Sequence, residues 1–187
     1  MPATNNRRST TEVLTALKTA LEVARWTPEG GSPTVAFQKV KLFDLAQLDD
    51  AFSELLMSEQ RVCLLVPDAE RFESALQGST RLLIKRTLPV ALLISDRVVA
   101  DRQAALHGMV GTGSMPAVAG AFPLQEIALA AVTGQLLPTP RGVVCKPVTA
   151  TVLDVQDTKK KMPGRACVEL DVECTGGTLD ALITTNL

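Results

Sequence analysis

Ala166-Cys167-Val168-Glu169-Leu170-Asp171-Val172-Glu173-Cys174 alternates apolar and acidic residues from Val168 onward. Successive side chains of a β-strand point to opposite faces, so Ala166, Val168, Leu170, Val172 and Cys174 share one face and Glu169, Asp171 and Glu173 the other. Upstream, Val144 to Val155 is also rich in β-branched residues in alternation. Between the two runs, Gln156-Asp157-Thr158-Lys159-Lys160-Lys161-Met162-Pro163-Gly164 is polar and turn-forming. The pattern predicts a long C-terminal β-hairpin with a basic tip and an acidic outer face. Gly176-Gly177 follows, and Thr178 to Leu187 is expected to be a tail that stays loose unless it docks on a neighbour.

Working outward from the hairpin, the chain alternates helical and strand periods. Ser9-Thr10-Thr11-Glu12 has the form of a capping box, and Val13, Leu14, Leu17, Ala20, Leu21 and Ala24 recur at helical spacing, which predicts an amphipathic helix ending near Trp26. Thr27 to Pro33, with two prolines and two glycines, breaks it. Thr34 to Phe43 pairs Val35 with Phe37 and Val40 with Leu42, a strand bulged at Gln38-Lys39. Leu45 to Met57 returns to helical spacing. Arg61 to Val66 is a continuous apolar run closed by Pro67-Asp68, as in a strand covered on both faces. A short helix is expected around Glu70 to Leu76. Arg81 to Ile84 and Val90 to Ile94 read as two further strands, with Pro89 between them marking an edge or a bend. Gly108 to Phe122 is dominated by small residues and reads as a surface loop. Pro123 is placed to occupy the first position of a helix running through Leu136 and ended by Pro138 and Pro140. The fold class is therefore α+β: a mixed, mainly antiparallel β-sheet packed by helices. Residues 1–187 are expected to form one domain, with residues 1–8 a flexible N-terminus.

Composition narrows the function classes. With 46% hydrophobic and 21% charged residues, the chain carries enough apolar material for one core. A formal charge of −1 supplies no net field for a nucleic acid backbone or an anionic membrane, and 3% aromatic content offers few stacking platforms. Neither specific nucleic-acid binding nor membrane association is expected. The N-terminus lacks the apolar core of a secretory signal, and the most apolar stretches are too short and too interrupted to span a bilayer, so a cytosolic location is expected. Cys63, Cys145, Cys167 and Cys174 lack metal-ligand spacing and read as reduced, buried strand residues.

No catalytic, cofactor-binding or metal-binding residues are expected. His107 is the only histidine, flanked by Leu106 and Gly108, with no nucleophile elbow elsewhere. Asp96, Asp101, Arg97 and Arg102 cluster after a strand, and their alternating signs read as a solvated, self-paired surface. Gly108, Gly111 and Gly113 have the look of a phosphate-cradling loop, but no Gly-Lys-Ser/Thr follows and no helix begins before Pro123, so a contact loop is the stronger reading. The arms of the hairpin are longer than a small core requires, and an unpaired strand edge is either blunted or used for pairing.

The order of elements resembles the tail terminator, or tail completion, proteins of long-tailed bacteriophages. The resemblance covers most of the chain. It rests on the helix Glu12 to Arg25, the strand ending Val40-Lys41-Leu42-Phe43-Asp44, the strand with Pro-Asp at Cys63 to Asp68, the strand Val90 to Arg97, the helix Leu124 to Leu137 and the final pair of strands. It implies a non-enzymatic subunit that closes into a six-membered ring on the head-proximal end of the tail tube, stops tube polymerisation and presents a surface to the neck. The implied partners are copies of itself, the tail tube protein, a neck or connector protein and the tail sheath protein. The implied location is the virion at the tail–neck junction, after assembly in the host cytoplasm. On this reading the contacts between subunits and rings fall on Lys159, Lys160, Lys161, Arg165, Glu169 and Asp171 of the hairpin, and on Met109 and Met115 of the small-residue loop. Two alternatives stand beside it: another neck or head-completion adaptor, and a small cytosolic enzyme built around Asp96, Asp101 and His107.

Overall fold

The computed structural model of the chain describes residues 9–47, 49–50, 53, 61–77, 81–96, 101–113, 116–137, 142–155 and 165–182. Helix α1 (Thr10–Val23) starts as the sequence predicts. Ser9 Oγ accepts from the Glu12 N–H at 3.1 Å, and the Glu12 carboxylate accepts from the Ser9 N–H at 2.8 Å, so two otherwise orphaned donors are satisfied at once. Its buried stripe is Val13, Leu14, Leu17 and Leu21, and each side chain taken out of water contributes roughly 2 kcal/mol. The helix ends three residues earlier than the spacing predicts, because Ala24 leaves the helical region and Arg25–Trp26 becomes strand β1, paired antiparallel with β2 (Thr34–Val35).

The short ladder ends at Val35, and Ala36 and Phe37, both buried, together with Gln38 separate β2 from β3 (Lys39–Leu42). What reads as one bulged strand is therefore two strands in two sheets. Arg61 ties them together: its guanidinium donates to the carbonyls of Ala36 and Val35, each at 2.9 Å, and lies 4.5 Å from the centre of the Trp26 ring.

Among the described residues the main sheet has seven strands. Its path runs β3, β4 (Val62–Pro67), β6 (Arg81–Ser95), β9 (Arg165–Leu182), β8 (Val143–Val155) and β7 (Gly134–Leu137), with β5 (Arg71–Gln77) pairing the first half of β6. Among the described residues only β3 and β4 run parallel; every other pair is antiparallel. Val62 to Val66 are all buried, as expected for a strand covered on both faces. One face of the sheet carries Cys63, Leu65, Leu88, Val90, Leu92, Ile94, Leu170, Val172 and Cys174 into a core with α1 and α3 (Ala121–Val132). The other face gathers Val62, Leu64, Val66, Leu93 and Cys167 with Phe43, Ala91 and Leu153.

Several expectations are corrected here. The segment from Glu70 to Leu76 is strand β5, because register pairing with Arg81–Thr87 outweighs its weak helical bias. The two runs either side of Pro89 are one continuous strand of 15 residues at the centre of the sheet. Pro89 is tolerated there because its carbonyl accepts from the Asp68 N–H at 3.0 Å. A residue's N and C=O point to the same side of a strand, so its missing N–H faces the corner where pairing passes from β4 to β5, and the ladder to β9 loses nothing. Arg86, buried in that ladder, pairs with Glu70 and donates to Thr10 Oγ1 at 3.0 Å, fastening α1 to the β5–β6 ribbon.

Pro123 sits third rather than first in α3, whose cap is Gly120. That helix stops at Val132 because Gly134, at φ +100°, turns the chain into β7; the expected continuation to Leu136 is a strand. The tail expected to be loose from Thr178 is part of β9 as far as Leu182, paired with Arg81–Ile84. Of the helix expected over Leu45 to Met57, Leu45–Gln47 forms a 3₁₀ turn and Asp49, Asp50 and Ser53 are helical, as expected; Leu48, Phe52, Leu55 and Leu56 lie outside the described residues, as do residues 1–8.

Candidate assembly surface

The C-terminal hairpin folds as the alternation predicts, with β8 and β9 in register from Val143–Gly176 to Val155–Arg165 and one irregularity at Val148. Ala166, Val168, Leu170, Val172 and Cys174 are buried against the helices. Beyond Cys145, β8 has no strand on its outer side among the described residues, since β7 reaches only Val143, Val144 and Cys145. Lys146 to Val152 are exposed, and Val148 (52%) and Val152 (41%) present apolar surface along that open edge.

Glu169, Asp171 and Glu173 lie on the opposite face from the helices, as expected, but they are half-buried rather than solvated. They form one wall of a groove of about 550 Å³ whose floor is Val66, Pro89, Ala91, Leu93, Val148 and Leu153. Glu173 is held by Lys146 at 3.1 Å and Arg71 at 3.4 Å. Asp171 accepts from Thr149 Oγ1 across the ladder. Partial burial, and then the charge of Asp171, push the Glu169 carboxyl above the ordinary glutamate value. The groove thus keeps Glu169 and Asp171 as a negative pair beside an open strand edge. At the far edge of the same sheet, β3 carries Lys39 and Lys41, and burial together with the neighbouring Lys41 charge lowers the Lys39 pKa. The acidic pair stands on β9, one strand in from the β8 edge, which itself carries the exposed Lys146.

Of the predicted contact residues, Glu169 and Asp171 come together in this groove. Met109 does not join them: it bridges Val118 on the helical side of the sheet and lines a separate depression of about 240 Å³ with Trp26 and His107. Arg165 opens β9 opposite Val155, and its side chain lies outside the described residues, as do Lys159, Lys160, Lys161 and Met115. Arg71, Lys146 and Thr149 are part of the groove chemistry and were missed, because their partners are reached only through strand register.

The glycine-rich segment is built around Asp96, which is buried rather than solvated. Its carboxylate accepts from the N–H groups of Ala119 (2.7 Å) and Gly120 (3.2 Å) at the start of α3. Gly108 and Gly120 both have positive φ, and a Cβ on Gly120 would sit 2.3 Å from the Gly108 nitrogen, so the two chain segments touch backbone to backbone. Of the glycines that look like a phosphate cradle, Gly108 donates its N–H to the Ala104 carbonyl at 2.9 Å, and the carboxylate is bound by Ala119 and Gly120 at the far end of the loop instead. Asp101 is likewise engaged, capping helix α2 (Arg102–His107) by accepting from the Gln103 N–H at 2.8 Å. His107 is exposed at the end of α2, edge-on to Phe122 at 5.2 Å, and the depression it lines includes neither Asp96 nor Asp101. None of the three concavities described is lined by all three residues of the enzyme alternative.

A further concavity of about 590 Å³, between α1 and β7, is lined by Thr11, Thr15, Ala16, Thr19, Leu136 and Leu137 among others and carries Glu12 as its only ionisable residue. Among the described residues no three His, Cys, Asp or Glu side chains are grouped to hold a metal, and no helix is long and apolar enough to cross a membrane. The sequence matches no protein-family model, and no curated protein matches it.

Proposed function

We propose that the chain is a structural subunit of the tail-terminator type, closing head-to-tail into a ring that caps the head-proximal end of a phage tail tube and joins it to the neck. The supporting observation is the open outer edge of β8, exposed from Lys146 to Val152 beside the Glu169–Asp171 groove, at the opposite end of the sheet from the basic edge strand β3. Two different edges of one sheet form a heterologous contact, which closes into a ring when the rotation between copies permits and consumes edges that would otherwise recruit strands without limit. A ring of this kind ends growth because its second face lacks the surface that a further tube ring needs.

The test is electron microscopy of particles assembled without this chain. Overlong or unjoined tails are expected, with normal length and joining restored by the purified protein. Tails of normal length that still attach to heads would overturn the proposal. Binding of the purified chain to portal assemblies but not to tail tubes would move it to a head-completion role.

A further inference from the structure

The register of the hairpin sets Cys145 of β8 directly opposite Cys174 of β9. Both are buried thiols, 1% and 3% exposed, on the helical face of the sheet. Which kind of antiparallel pair they form follows from a bond two strands away. The Pro89 carbonyl accepts from Asp68, so the backbone polar groups of Pro89 point away from β9 and its partner there, Glu173, is in a non-hydrogen-bonded pair with it. Glu173 therefore turns its own N–H and C=O toward β8, which makes Glu173–Lys146 a hydrogen-bonded pair and the next pair, Cys174–Cys145, a non-hydrogen-bonded one. Pro147 agrees: two residues beyond Cys145 it has the same orientation, and its missing N–H lies on the outer edge, where no bond is lost.

Non-hydrogen-bonded partners bring their Cα atoms to about 4.5 Å, within the span a disulfide bridges. The other two cysteines provide the contrast. Cys63 is in β4 and Cys167 in β9, with β6 between them, a separation of two strand spacings or about 9–10 Å, beyond a disulfide's reach.

We propose that Cys145 and Cys174 form a redox clasp, a disulfide closed by a peroxide and reopened by thiols, at the root of the C-terminal hairpin. The two thiols face each other across the ladder, so whichever ionises first is the nucleophile and the other resolves. That thiolate attacks one peroxide oxygen, the O–O bond breaks, and hydroxide leaves, giving a sulfenic acid. The facing sulfur then attacks the oxidised one, forming S–S and expelling the second oxygen. The two thiol protons leave with the two oxygens as water, so two thiols and one hydrogen peroxide become one disulfide and two waters. Access is through the short strand β7, whose few bonds to Val143–Cys145 open at low cost.

The experiment treats the reduced, full-length protein with hydrogen peroxide, alkylates the remaining thiols under denaturing conditions and maps the peptides by mass spectrometry. The expected result is loss of two hydrogens with Cys145 linked to Cys174, while Cys63 and Cys167 are alkylated. Closing a loop of about 30 residues should also raise the Tm by on the order of 10 °C, reversed by a thiol reductant. Cys145→Ser and Cys174→Ser should each abolish the bridge; if either variant fails to fold, the wild-type peptide map decides alone. Linkage through Cys63 or Cys167, only oxygen adducts, or no bridge even in urea just below the unfolding transition would overturn the proposal.

Discussion

Asp96→Ala removes the acceptor of two buried donors, the N–H groups of Ala119 and Gly120, bonded at 2.7 and 3.2 Å. Hydrogen bonds to a charged group contribute about 1.5–3 kcal/mol each, and the donors left behind have no route to water. The two bonds sum to about 3–6 kcal/mol; relief of the carboxylate's own desolvation offsets part of this, which brings the expected loss to about 3 kcal/mol. In a chain of this length that lowers the Tm by about 6–12 °C. Asp96→Asn keeps an oxygen acceptor without the charge, so its expected loss is smaller, about 1 kcal/mol. Urea unfolding followed by far-UV circular dichroism reads both as shifts of the midpoint at constant slope. A loss below about 1 kcal/mol for the alanine variant, or equal losses for the two variants, would refute the idea that this carboxylate organises the loop and the start of α3.

Gly120→Ala places a Cβ 2.3 Å from the Gly108 nitrogen at φ +83°, and should cost more than about 2 kcal/mol in the same assay. Leu17→Ala, at a fully buried position in α1, should cost about 2–5 kcal/mol by calorimetry or urea titration. Val152→Lys on the open edge of β8 should leave the isolated subunit within about 0.5 kcal/mol of wild type while abolishing self-association, read by sedimentation on tail tubes. Glu169 has a raised pKa, so the native state holds its proton where the unfolded chain releases it, and stability falls as pH rises from the ordinary glutamate value through the raised one. Glu169→Gln should therefore match wild type below that window and exceed it above, by less than about 0.5 kcal/mol given the solvent around the groove, as measured by Tm against pH.

What was legible in the sequence is what depends on local period. The alternation at Ala166–Cys174, the capping box at Ser9–Glu12 and the apolar run at Val62–Val66 each specify an element without reference to anything distant. What was not legible depends on register. Nothing in Arg71–Gln77 marks a strand until Arg81–Thr87 folds back alongside it, and Thr178–Leu182 reads as a tail because its partner, Arg81–Ile84, precedes it by nearly a hundred residues. Asp96 looks like surface charge because its two partners lie 23 and 24 residues downstream.

The groove was half legible for the same reason. Glu169 and Asp171 were set on one face by alternation alone. Arg71 belongs to another strand and reaches Glu173 from 102 residues away, while Lys146 depends on the pairing of β8 with β9. A pattern of two-residue period says which side a residue faces and nothing about what crosses the sheet to meet it.

β6 and β9 each continue without a break from the body of the sheet into the ribbon that β5 completes, and β9 alone spans 18 residues, roughly 60 Å of extended backbone. A tensile load applied along that direction strains the rungs between the two strands together, in shear, on either side of the register irregularity between Ile84 and Arg86. A load applied sideways at the four-residue strand β7 peels rungs away one at a time. The molecule is mechanically anisotropic: stiff from tip to tip, and yielding at its rim.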